Sequence, residues 1–208
     1  MNARALYSGV MTTTSVRLAA VAAIFAAGVA AGALLDTALP QASAQTPQAA
    51  APVDNAELLD LFTADQADRS GDEIDWEAVS ARDAARQARV KAMLAADVPR
   101  TGADFFHAAM VLQHSSKPDD YLLAHELCVI AIGKGFDRAR WLAAATEDRF
   151  LMSIGRPQRF ATQYRSEGPG TPMKLYQVDP GATDAMRRHF NAPSLKEAQE
   201  REAMFNKK

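Results

Sequence analysis

Six side chains in this sequence are of types that handle protons or anions: His114, His125, Asp148, Arg149, Gln158 and Gln163. An imidazole titrates near working pH and can serve as general base or acid, so His114 is the expected proton-handling group. The Arg149 guanidinium suits an anionic or carbonyl group, with Asp148 orienting either the Arg or the His. The amides of Gln158 and Gln163 can donate to negative charge developing on a reacting oxygen. Each also has a structural alternative. His125 reads as a hydrogen-bonded core histidine, Asp148–Arg149 as a brace at a helix end, and the two glutamines as partners for loop backbone. No activated nucleophile is visible, because Gly-x-Ser-x-Gly is absent and Cys128, the single cysteine, lies in an apolar stretch that predicts a buried, inert thiol.

What would gather these groups is a set of helices. Thr101 with Asp104 predicts a helix start running to about His114, with Phe105, Ala108, Ala109 and Leu112 on its apolar face. Pro118, Asp119 and Asp120 suit the first turn of a second helix to about Lys134. It is apolar nearly all round (Leu122, Leu123, Leu127, Val129, Ile130, Ile132) and is therefore expected to be central and buried. Gly135 ends it, and Asp137 is the expected cap of a third helix that Gly155 and Pro157 terminate. Short connections make such helices antiparallel neighbours. The ends carrying His114, His125 and Asp148–Arg149 then lie on one side, where the loop with Gln158 and Gln163 also departs.

The rest of the chain fits the same picture. Asp54 with Glu57, and Thr63 with Gln66, resemble capping pairs. An amphipathic helix is expected from Trp76 to about Ala95, with Val79, Ala84, Val90 and Leu94 inward and Arg82, Arg86 and Arg89 outward. Residues 156–181 read as a loop with weak strand alternation from Met173 to Val178. A short helix from Thr183 and a last one capped by Ser194 with Glu197 follow. The predicted architecture is all-α: an antiparallel bundle of about six helices with a long irregular loop after the third core helix.

Ahead of this domain stands an export segment. Arg4 and Arg17 precede an apolar run from Leu18 to Leu35, then Pro40 and the small-x-small triplet Ala42-Ser43-Ala44. This predicts a signal peptide over 1–44 cleaved before Gln45, with an uncleaved anchor as the alternative, since such a run spans ~27 Å as a helix. A start at Met11 would give a conventional signal length. Residues 45–53 are Ala-, Pro- and Gln-rich and read as a flexible linker, and 54–208 as a single helical domain. The expected location is periplasmic or secreted, or inner-membrane anchored with the domain outside. Without the first 44 residues the chain carries 21 basic and 24 acidic groups, which gives no reason to expect nucleic acid as a partner. Membrane contact is expected only through the N-terminal segment.

No cofactor is expected, and metal ligation lacks a motif. His125-Glu126 starts a zincin-like pattern, but Val129 occupies the second His position. The acidic turn from Asp65 to Glu77 places Gln66 at the first ligand position of a calcium loop.

Asp148-Arg149 followed by Gly155-Arg156-Pro157-Gln158-Arg159-Phe160-Ala161-Thr162-Gln163 resembles a bacterial family, domain-of-unknown-function family 6624. Its signature is Asp-Arg, then Gly-x-x-Gln-x-Tyr/Phe-Gly-Thr-Gln. Asp65-Gln66-Ala67-Asp68-Arg69, the stretch from Ala108 to His114, Ala124 to Leu127, and Thr183 to Arg187 match as well. The resemblance spans about Leu58 to Gln199. It implies a helical fold and adds Gln113 and Thr162 to the motif, without naming a substrate. Ala161 stands where the family has Gly, so a backbone conformation open only to glycine is not expected there. Two functions compete: a hydrolase-like enzyme or binder of a small molecule or peptide, using the His/Asp-Arg/Gln patch, and a non-catalytic helical interaction module in which the motif only braces the loop.

Overall fold

Helix α1 (Ala56–Ala67) begins at Asn55, whose side chain accepts the Leu58 N–H at 3.0 Å. The start therefore falls one residue after Asp54. Thr63 does not open a second helix but lies inside α1, where its hydroxyl donates to the Leu59 carbonyl at 2.8 Å. No Gly or Pro interrupts the segment, so the helix runs on through it. The computed structural model describes residues 50–70, 73–168 and 170–207. The expected export segment and residues 45–49 of the expected linker lie outside them.

Helix α2 (Trp76–Ala95) is capped by Asp75, which accepts the Glu77 and Ala78 N–H groups at 3.1 Å. Its buried stripe is Val79, Asp83, Arg86, Val90 and Met93. Arg86, expected outward, is only 7% exposed, and Ala84, expected inward, is exposed. The cause is the end of α1: Arg86 reaches Asp68 and Asp83, both at 2.7 Å, so an ion-pair network takes the place of apolar packing here.

Helices α3 (Gly102–Leu112), α4 (Pro118–Gly133) and α5 (Ala139–Ser153) pack in succession, α3 on α4 and α4 on α5. Thr101 and Asp104 form the expected reciprocal cap, and Asp104 also accepts the Asn55 N–H at 2.7 Å, tying the start of α1 to that of α3. At Gly102 a Cβ would lie 2.7 Å from the Phe136 Cβ, so only glycine allows the approach of α3 to the α4–α5 connection. Gly135 ends α4 at φ +85°. Asp137 does not cap α5; Arg138 occupies that position, and the Asp137 carboxylate holds the Arg140 guanidinium instead.

The α4 expectation also needs correction. Its buried face is Asp120, Ala124, Leu127, Cys128 and Ala131, whereas Val129 is 52% and Ile130 41% exposed. Flanked by α3 and α5, the helix leaves its outer apolar face uncovered.

After α5 the loop forms a two-residue antiparallel ladder, β1 (Tyr164–Arg165) with β2 (Lys174–Leu175); β2 lies within the Met173–Val178 stretch of weak alternation and β1 outside it. Gln158 pairs with Val178 in an isolated parallel bridge. Helices α6 (Asp184–His189) and α7 (Leu195–Phe205) follow, the latter capped by Ser194 with Glu197 as predicted. Tyr164 donates its hydroxyl to the Ala198 carbonyl at 3.0 Å, fastening α7 to the ladder. The fold is all-α apart from this ladder, with its core on α1 to α5 around Leu58, Val90, Leu112, Leu127 and Leu142. Among the described residues no helix is long and apolar enough to cross a membrane.

Candidate functional site

The residues predicted to form one patch fall into two groups. The first is a brace. Asp148, on the last turns of α5, is fully buried, and its carboxylate accepts the N–H groups of Arg159 (2.7 Å), Phe160 (2.9 Å) and Thr162 (3.1 Å) and the Thr162 hydroxyl (2.8 Å). Ala161 sits between these donors at φ +58°. That left-handed turn folds the Thr162 N–H back to the carboxylate that already holds Phe160, so the chain wraps an anion as a backbone nest does. The backbone is thus one that glycine adopts freely, and Ala161 takes it at a cost of about 1–2 kcal/mol. Burial pushes the Asp148 carboxyl up from the ordinary carboxylate range, against the pull of these donors.

Gln158 completes the brace. It donates to the carbonyls of Gln163 (2.9 Å) and Tyr176 (2.8 Å) and accepts the Gln163 N–H at 2.8 Å. The Gln163 amide donates to the Thr162 hydroxyl at 3.0 Å and, at 3.4 Å, to the Ala145 carbonyl. The expected donation by these glutamines to a reacting oxygen therefore meets amides already taken up by the loop. Asp148 likewise orients neither Arg149 nor His114. His125 donates Nδ1–H to the Ala143 carbonyl at 2.9 Å, linking α4 to α5 as a core histidine does.

The second group lines a cavity of about 780 Å³. One wall is α2 from Trp76 to Lys91. The other is the α3–α4 connection with Gln113, His114 and Lys117, together with Tyr121 and Arg149. Arg149 departs from the helix in a direction one residue away from Asp148, about 100° round the axis. Its Nε is buried without a hydrogen-bond partner, and the guanidinium enters no ion pair among the described residues. Burial pulls its pKa below the usual guanidinium value. The Gln113 Oε1 is buried without a partner as well.

His114 is held from behind. Its Nδ1 lies 3.0 Å from Oδ1 of Asp65, which is fully buried on α1 and also accepts from Gln66 Nε2 (2.8 Å) and Arg69 Nη1 (3.1 Å). A carboxylate only accepts, so Nδ1 carries a proton and the Nε2 lone pair of the neutral ring remains available. Arg69 donates onward to Asp83, so the imidazole rests on a charge network spanning α1 and α2.

Comparison with family models, with curated proteins and with solved structures finds no match.

Asp65, Arg69 and Tyr121 were not among the predicted site residues. The signal for Asp65 was its spacing: it lies seven residues after Leu58 on the buried stripe of α1, where a carboxylate needs a partner. Cys128 is buried as predicted, and burial pushes its thiol up to about 12. Among the described residues no three His, Cys, Asp or Glu side chains gather as a metal site requires.

Proposed function

We propose that the cavity is a small-ligand site of hydrolase-like type, in which Arg149 holds an anionic or carbonyl group and His114 moves the proton. In the hydrolytic step, Nε2 of His114 takes a proton from water as the water oxygen bonds to the carbonyl carbon. The same proton passes to the leaving atom as its bond to carbon breaks. The observation that carries this reading is the pairing, in one cavity, of a half-buried guanidinium without a carboxylate and an imidazole whose rear nitrogen is fixed by buried Asp65. Proteins rarely leave a buried charge unpaired unless a ligand completes it. We also propose that the chain is related to family 6624 and that it is exported, on the Leu18–Leu35 run and Ala42-Ser43-Ala44; a mature mass starting at Gln45 would support cleavage, and an intact N terminus would count against it.

The experiment is a turnover screen over carboxylate-bearing esters and amides. His114→Gln is expected to lower kcat by about 10²-fold or more at an unchanged melting temperature. Arg149→Met is expected to raise KM. Binding of such compounds without turnover would leave a ligand-binding protein. Neither binding nor turnover would end the proposal. The interaction-module reading is favoured by one different observation, the uncovered α4 face with Leu122, Val129 and Ile130.

A further inference from the structure

One wall of the cavity follows α2. Along α2 its wall runs through Val79, Ala84 and Ala88, whose side chains are short and apolar, and it ends on Trp76 at the first turn. Trp76 is 61% exposed, and the Asp75 cap fixes the backbone that carries it. An indole left open on the rim of a cavity offers a face for a second planar group. His114 connects through Asp65 and Arg69 to Asp83, which lines the same α2 wall as Trp76. Of the other cations on the walls, Lys91 is paired with Asp120, and Arg69 with Asp65 and Asp83, while Lys117 stands on the α3–α4 connection. Arg149 is the lining guanidinium that is not paired among the described residues.

Resting on the anion-site reading above, we infer that the ligand is an organic anion bearing a planar ring, the charge on Arg149 and the ring on Trp76. Such a ligand uses both residues, whereas a simple anion would use Arg149 alone.

The test is calorimetric titration of the full 208-residue chain with 6-phenylhexanoate, hexanoate and 6-phenylhexan-1-ol. The phenyl acid is expected to bind about tenfold more tightly than hexanoate, the gain of one aromatic contact. Trp76→Ala should remove that advantage and leave hexanoate binding unchanged; Trp76 is exposed, so the fold does not depend on it. Arg149→Met, with its melting temperature checked, should remove binding of both acids. Equal affinities for the two acids with Arg149-dependent binding would overturn the ring inference alone. Equal binding of the alcohol and the phenyl acid would show that the charge contributes nothing and would overturn the anion site. Failure of both acids to bind would overturn the anion site and the ring inference together.

Discussion

Asp148 and Arg149 are neighbours in the chain and do not pair with each other. The carboxylate of Asp148 turns to the loop, where four groups donate to it, while the Arg149 guanidinium turns to the cavity and finds no carboxylate among the described residues. A dipeptide that reads as one ion pair is therefore two devices on two faces of α5.

The two residues should respond oppositely to truncation. Asp148→Ala leaves three backbone N–H groups without their acceptor, and the expected loss is about 3–5 kcal/mol, with a melting temperature lower by about 10 °C. Arg149→Met keeps the apolar stem and removes a half-buried charge that has no carboxylate partner among the described residues, so stability is expected to hold within about 1 kcal/mol or to rise. Thermal and urea unfolding of both variants checks this. Comparable large losses in the two would show that Arg149 is also part of the brace.

Asp65 should set the tautomer of His114. In the native protein, long-range proton–nitrogen NMR spectra of the neutral ring are expected to show Nδ1 protonated and Nε2 bare. In Asp65→Asn the buried charge that selects this form is gone. The Nε2–H form should then appear, and stability should fall by about 3 kcal/mol as Arg69 loses one carboxylate. An unchanged tautomer in the variant would remove Asp65 from the site.

Acid should weaken the α1–α2 seam within a defined window. Hydrogen bonds from Arg82 and then Arg86 lower the Asp68 carboxyl from 3.8 to about 2. Asp83 is also lowered, because Arg69 and Arg86 outweigh its burial. A carboxylate with a depressed folded pKa adds stability above its unfolded value, and that stability is lost as pH falls through the folded one. Unfolding free energy should therefore fall between about pH 4 and pH 2, and Asp68→Asn should flatten the fall. Burial pushes Glu147 and Asp148 the other way, so their contribution shrinks as pH rises through their folded values. Urea titrations across pH give the slope; a variant profile parallel to the native one would discount the network.

The all-α class, the caps at Thr101 and Ser194, Pro118 in a first turn and Gly135 after α4 were legible in the sequence, because each depends on a few adjacent residues and their dihedral preferences. Antiparallel helices joined by short connections also placed His114 and Arg149 at one end, and both line the cavity, whereas His125, Asp148, Gln158 and Gln163, expected beside them, turn to other partners. Spacing also held a warning that was missed: Arg86 lies seven residues after Val79 and four before Val90, on the buried stripe. Which way each polar group turns was decided only by tertiary structure. Asp65 meets His114 across 49 positions, and Asp148 meets loop groups 11 to 14 positions on. Local propensity carries no information about partners at such separations. Those pairings are chosen by the folded chain, where a buried charge must find donors wherever packing has brought them.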